Sequence, residues 1–419
     1  MAHLKRSVGI SLWFMFLTLP LMVVRVNTVN REVEWRWSNL VWVGVCAFAI
    51  AWLWQFSIHQ RELRRARAAT EKHPELKRHT LAQRLADDPV LSRRVLIGVG
   101  MLALVFPWLV SSGQNFYHVN VMVSALIFVV LGLGLNITVG LAGLLDLGYI
   151  AFFAVGAYTY ALLNKNFDLG FWTCLPLGGL MGMLFGIVLG FPILRLRGDY
   201  LAIVTLGFAS ITKIVLENWD TVFGGAAGIA NIPRPDLFGV ELDGRGKAMY
   251  SYYIVLCLVV FTILVTTRLK NSRIGRAWMA LREDEIASVA MGVDMAHTKL
   301  SAYALGAFWA GLVGVLFAAH NSFINPDSFT FMDSAMILAV VVLGGMGSIL
   351  GVIIAGLALK LMPEYLRAFA EYRMLVFGAV MVLMMIFRPQ GLINDMRRKY
   401  EYDTEKYDTA GREGDDGGE

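Results

Sequence analysis

Apolar runs of roughly twenty residues recur along almost the whole chain, and this feature restricts the fold more than any other. A bilayer core about 30 Å thick is crossed by about 20 residues of helix at 1.5 Å each. Lipid offers backbone groups no hydrogen bonds, so a segment that enters it must pair its own backbone, which a helix does by itself. The runs fall near 7–24, 38–56, 95–112, 119–140, 149–164, 172–193, 200–217, 249–268, 300–319, 334–360 and 372–387. Charged residues make up 16% of the chain, where a soluble domain carries about 25%. The sequence therefore predicts an all-α polytopic membrane protein.

Charge sets the expected orientation. Ten Lys and Arg crowd the stretch from Ile58 to Arg94, between the second and third runs. Basic loops stay cytoplasmic, which places the N-terminus, with Lys5 and Arg6, inside as well. Counting onward puts Arg195 and Arg197 inside, 222–249 outside and 268–299 inside. A single span at 334–360 would then send Arg388, Arg397, Arg398 and Lys399 outside. A pair of short helices broken at Gly344-Gly345-Met346-Gly347-Ser348 removes the conflict, because glycine weakens a helix by roughly 1 kcal/mol relative to alanine. The expectation is about ten full spans plus one Gly-broken helical hairpin. The first run, Ser7 to Val24, lacks a small-residue cleavage site and is read as a retained span. Residues 1–94 form an N-terminal extension with two spans and a basic loop, 95–392 the core, and 393–419 a cytoplasmic tail that is Gly- and acid-rich at its end.

The stretch Leu131 to Tyr160 also looks broken, with Gly132, Gly134, Gly140, Gly143, Gly148 and Gly156 around Asn136 and Asp146. Two Gly-interrupted segments, one in each half, point to a transporter's pathway near the bilayer midplane. This reading makes Asn136, Gly140, Gly143, Asp146, Gly344, Gly345 and Gly347 candidates for the translocation path. The competing reading is close helix packing through small residues. Asp146 is either paired at bilayer depth or solvated at a helix end. Lys213 and Glu217 are expected to pair at i, i+4. Trp172, Trp219, Tyr252 and Tyr253 suit interfacial belts. Pro233, Pro235, Gly239, Gly244 and Gly246 are expected to make 222–249 irregular. Cys46, Cys174 and Cys257 lie in separate apolar runs and read as packing residues.

The segment Asn271 to Lys299 reads NSRIGRAWMALREDEIASVAMGVDMAHTK. Ile286, Val289, Ala290 and Val293 share one face of a short helix. Glu283, Asp284 and Glu285 suit its N-terminal turn, and Gly292 its end. Such a helix can lodge in a groove on a partner protein or lie on lipid, and three successive acids favour the protein. Enzymatic motifs are missing. Gly246-Lys247 is followed by Ala248 and has no earlier phosphate-loop glycine, and neither H-E-x-x-H nor G-x-S-x-G occurs. His59, His73 and His79 sit in the basic loop, and no metal is expected. An ATP-driven process would need its ATPase on another chain.

Six segments in common order resemble the permease subunits of branched-chain amino acid ABC importers, of the larger type called LivM or BraE. They are LGLGLNITVGLAGLLDLGYIAFFAVGAY at 131–158, GFWTCLPLGGL at 170–180, GFPILRLRGDYLAIVTLGF at 190–208, IGRAWMALREDEIASVAMGV at 274–293, ILAVVVLGGMGSILG at 337–351 and MVLMMIFRPQGL at 381–392. The resemblance implies an inner-membrane complex importing leucine, isoleucine and valine. Its other members would be a second permease subunit, two ATP-binding subunits and a periplasmic amino-acid-binding protein. No cofactor is bound by this chain, and ATP is used by the partner subunits. Membrane lipid is a partner by composition, and nucleic acid is not. The resemblance further implies that Arg282, Glu283, Asp284, Glu285, Ile286, Ala287 and Gly292 couple to an ATPase. One departure is that Glu285-Ile286-Ala287 precedes Gly292 by four residues, where the wider importer pattern has three. Two other functions stay open: an ion-coupled secondary transporter, for which Asp146 is the feature to weigh, and a membrane-embedded lipid-processing enzyme, which would need clustered acids or histidines at one face.

Overall fold

The computed structural model describes residues 24–27, 32–35, 100–108 except 102, 116–193, 196, 198–235, 244–365, five positions within 378–384, and 391–393. The expected span 7–24 apart from Val24, the span 38–56, most of 372–387, the basic stretch 58–94, Arg195, Arg197, Cys46 and the acidic tail lie outside these residues. The chain divides into two compact units, Met1–Arg84 and Leu85–Glu419. In the first, strands β1 (Val24–Asn27) and β2 (Glu32–Trp35) pair antiparallel with Val24 opposite Trp35. Sequence periodicity did not anticipate this hairpin.

The described part of the second unit is almost wholly helical. Helix α1 (Tyr117–Leu135) runs straight into a π-helical stretch, Asn136–Leu141. After an irregular connection come α2 (Tyr149–Phe167), α3 (Phe171–Ile193) and α4 (Asp199–Asn218). The long α5 (Gly244–Asn271) leads into two short helices, α6 (Arg273–Glu283) and α7 (Glu285–Ala290). Then α8 (Met295–Asn321), α9 (Phe331–Gly344) and α10 (Ile349–Tyr365) follow. Among the described residues six helical stretches are long and apolar enough to cross a membrane. The fold is all-α and polytopic; the expected ten spans include segments outside the described residues. Both predicted breaks are present, one after the π-helical stretch and one at 345–348 between α9 and α10.

Helices α1 and α8 form the core of this unit. Most of α1 is buried, and α5, α8 and α10 pack around it, while α8 lies along α2 and α3. Glycines explain how closely the last three approach. Gly178, Gly182, Gly186 and Gly190 recur every fourth residue, on one face of α3. A Cβ on Gly178 would strike Val315, and one on Gly182 would come within 2.6 Å of the Ala307 carbonyl. Gly156 of α2 meets the Gly311 backbone, and Gly311 meets that of Gly178, so three helices touch with almost no side chain between them. The packing reading thus holds for Gly156, and also for Gly148, whose Cβ would meet the Thr205 carbonyl.

At one end of this unit, strands β3 (Ile229–Ala230) and β4 (Phe323–Ile324) pair antiparallel. The Tyr160 hydroxyl donates to the Pro233 carbonyl at 2.8 Å, and Arg234 Nε to Ser322 Oγ at 3.2 Å. Lys213 reaches Glu217 at 3.2 Å, as expected, and also Asp327 at 3.0 Å.

Four sequence expectations need correction. Tyr252 is buried, its hydroxyl donating to the Ala103 carbonyl at 2.7 Å, because a helix at 103–108 covers it; Trp172 and Trp219 are exposed as belts require. Cys257 is exposed on α5 rather than packed, whereas Cys174 is buried. Gly244 and Gly246 fall inside α5, since the apolar run that follows carries the helix back through them. Glu283 closes α6 instead of opening α7, because the Asp284 side chain breaks the helix and caps the next one.

Candidate functional site

Three capped helices in a row bring the segment 272–299 into shape. Ser272 Oγ accepts from Gly275 N at 3.1 Å and starts α6. Asp284 Oδ1 accepts from Ile286 N at 2.8 Å and Ala287 N at 3.0 Å, starting α7. Asp294 Oδ1 accepts from His297 N at 3.2 Å, starting α8. Side-chain oxygens satisfy donors that a helix start leaves open, which is why these residue types end one helix and begin another. Gly292, with φ +86°, takes the left-handed turn that closes α7. The bond from His297 is the main cause, followed by its backbone N–H, that holds the Asp294 carboxyl below its usual range.

The apolar side of α7 faces away from the protein. Ile286 is 75% exposed, Val289 45% and Met291 85%. Glu283, Asp284 and Ala287 are exposed as well. Glu285 is turned inward to a part-buried ion pair with Lys299 of α8. Trp278 of α6 is fully buried, and its Nε1 donates to the Thr298 carbonyl at 3.0 Å and to Ser301 Oγ at 3.1 Å. Lys299, Trp278, Thr298 and Ser301 thus seat α6 and α7 on α8, a role that helical periodicity alone does not reveal.

The other face of this segment meets both breaks. The Arg282 guanidinium donates to the Gly140 carbonyl, and its stem lies 2.8 Å from where a Cβ on Gly143 would stand. Lys270 Nζ, in the last turn of α5, donates to the Gly347 carbonyl at 3.1 Å. Gly347 N donates to Asn136 Oδ1 at 2.9 Å, so the two breaks are joined directly. Asn136 is fully buried, and among the described residues its Nδ2 has no partner. Gly143, Gly345 and Gly347 all have positive φ, a conformation side chains rarely adopt. Gly344 packs on the backbone of Gly351. The sequence candidates Asn136, Gly140, Gly143, Gly344, Gly345 and Gly347 therefore come together at the end of the bundle that carries 270–299.

Asp146 stands apart from that cluster. It is buried, accepts from Gly148 N at 2.8 Å, and receives the Tyr303 hydroxyl. It is not solvated at a helix end. Its neighbours pin the connection before α2: Leu147 N donates to Thr205 Oγ1 at 3.0 Å, and Ser334 Oγ donates to the Leu147 carbonyl at 2.6 Å. Irregular backbone is thereby satisfied by α4, α8 and α9. Among the described residues no group of three or more His, Cys, Asp or Glu side chains could hold a metal.

The matches to known proteins cover this region and most of the chain. The family described as the branched-chain amino acid transport system permease component matches residues 117–385. The high-affinity branched-chain amino acid transport system permease protein LivM of Escherichia coli is 44% identical over 390 residues, 88% of this chain and 87% of that protein. LivM of Salmonella typhimurium is 48% identical over 324 residues, 73% and 75% of the two chains. The permease protein LivH of Escherichia coli is 25% identical over 284 residues, 64% of this chain and 91% of LivH. No solved structure matches significantly. With its spanning helices, its two glycine breaks and this coverage, the chain belongs to the family of branched-chain amino acid transport system permease components.

Proposed function

We propose that this chain is a transmembrane subunit of an ATP-binding-cassette importer for leucine, isoleucine and valine in the inner membrane, paired with a second permease subunit. The relatives named for branched-chain amino acid transport support the substrate class. The observation that carries the mode of energy input is α7, a capped six-residue helix that turns Ile286, Val289 and Met291 outward while Glu285 and Ser288 face the protein. Apolar side chains held out on a fixed helix match docking into a groove on another protein. Two separate ATP-binding subunits supply the energy in this reading, ATP is consumed there, and the permease is not itself an enzyme. The docking segment, Arg282 to Gly292, is cytoplasmic, as are both termini, and a periplasmic binding protein delivers the amino acid at the opposite face. The glycine breaks and Asn136 contribute to the translocation path.

Uptake of radiolabelled leucine, isoleucine and valine in cells lacking this chain tests the assignment. Wild type is expected to restore uptake that stops on ATP depletion and survives collapse of the membrane potential. A double variant, Ile286→Asp with Val289→Asp, is expected to insert normally and to restore none. Uptake that follows the membrane potential instead would replace this reading with the ion-coupled one. A fully active double variant would return α7 to the lipid surface.

A further inference from the structure

Lys270 and Arg282 both precede the docking helix in sequence, and each donates to a backbone carbonyl at one of the breaks. We infer that these two cations, with Asn136, form a latch that ties the docking segment to both broken helices, so that Arg282 and Lys270 are positioning residues for transport. The inference rests on the proposed docking role of α7 and adds what lies between that helix and the path.

The argument starts from the breaks. A helix that stops leaves its last carbonyls without partners, and its C-terminal end carries partial negative charge. The chain from α1 stops at Leu141, and α9 stops at Gly344, where Leu392 N and Ile393 N supply the Leu343 and Gly344 carbonyls and leave the loop after it to other donors. Arg282 donates to the Gly140 carbonyl at the first end, and Lys270 to the Gly347 carbonyl just past the second, at 3.1 Å. Asn136 Oδ1 accepts from Gly347 N at 2.9 Å and binds one break to the other. A cation on a carbonyl at a helix C-terminus is a charge-assisted bond, stronger than a neutral one. Both cations come from the segment that runs into α7: Lys270 is in the last turn of α5, and Arg282 lies three residues before the α7 start. The anchors to α8, Glu285 on Lys299 and Trp278 on Thr298 and Ser301, make α6 and α7 one seated piece. Displacing that piece must stretch the Arg282 bond, and with it the junction of the two breaks.

The test is amide hydrogen exchange on the full-length chain in lipid nanodiscs. Arg282→Ala removes one charge-assisted bond, and exchange in peptides covering 136–148 and 343–350 is expected to rise about tenfold or more while α2 and α3 stay protected. Arg282→Lys, which can still reach a carbonyl, is expected to recover most of the protection. Should Arg282→Ala fail to insert, Lys270→Gln carries the same test, with the rise expected in 343–350. Unchanged exchange in an inserted Arg282→Ala or Lys270→Gln variant overturns the latch, as does a uniform rise across every helix, which marks a general packing role. In membranes holding the assembled transporter, the latch also requires that Lys270→Gln keep ATP hydrolysis while uptake per ATP falls. A parallel fall of both overturns it. Wild type that takes up no branched-chain amino acid would sink the transport reading but leave the exchange result standing.

Discussion

Glycine is used in two opposite ways in this protein. In the trio α2, α3 and α8, Gly156, Gly178 and Gly311 sit inside continuous helices and remove side chains, so backbones meet directly without a break in the helix. At the breaks, Gly143, Gly345 and Gly347 adopt positive φ and interrupt the helices, and Arg282, Lys270 and Asn136 bond the freed backbone groups or tie the two breaks together. The first arrangement gains from contact and resists motion. The second holds by a few polar bonds between segments distant in sequence.

The largest effect that would test this contrast is in the trio. Gly311→Leu drives a branched side chain against the Gly178 backbone, and overpacking of this kind costs about 1–3 kcal/mol or more. The expected result is a large loss of inserted protein and a sharply lower Tm in detergent; normal thermal stability would mean the three helices can separate freely. Next in size is Asn136→Leu, which leaves the buried Gly347 N–H without its acceptor at a cost of about 1–3 kcal/mol. Uptake should fall strongly while Tm changes much less than for Gly311→Leu, as read by paired transport and melting measurements. Equal losses of both would erase the distinction between the regions.

Two smaller effects sharpen it. Lys213→Met removes a half-exposed ion pair with Glu217 and Asp327 at the opposite end, worth about 0.2–1 kcal/mol before salt screening. Uptake should stay near wild type, and a strong loss would give that cluster a role beyond local order. The smallest effect is at Asp294. Its carboxyl is held below the usual range in the folded chain, so the cap is fully formed above the ordinary carboxylate value and is lost as pH falls through the lowered one. Amide exchange in 295–299 should rise on acidification in wild type, whereas Asp294→Asn should show little dependence on pH.

Local chemistry made part of this legible in the sequence. Adjacent glycines at 344–347 and the charge conflict beyond them located the second break, and Gly292 with Ile286 and Val289 located α7. What sequence spacing does not encode is which distant group arrives. Arg282 to Gly140 spans 142 positions and Asn136 to Gly347 spans 211, so periodicity placed these residues on elements without pairing them. Lys270 escaped notice for the same reason, reading as one more basic residue at the end of an apolar run. Glu283, Asp284 and Glu285 formed a single acidic patch in sequence, yet they have three fates: the end of one helix, the cap of the next, and an ion pair with Lys299. Competing hydrogen-bond partners, not charge, separated them.

One contact fixes an order of events. Leu392 N donates to the Leu343 carbonyl at 2.9 Å and Ile393 N to the Gly344 carbonyl at 3.3 Å, while Gly391 lies against Gly345. The end of α9 is therefore completed by residues made almost fifty positions later. During synthesis those two carbonyls lack these donors until residue 393 has been added. A nascent chain halted at 390 would hold α9 and α10 yet leave their junction without this closure.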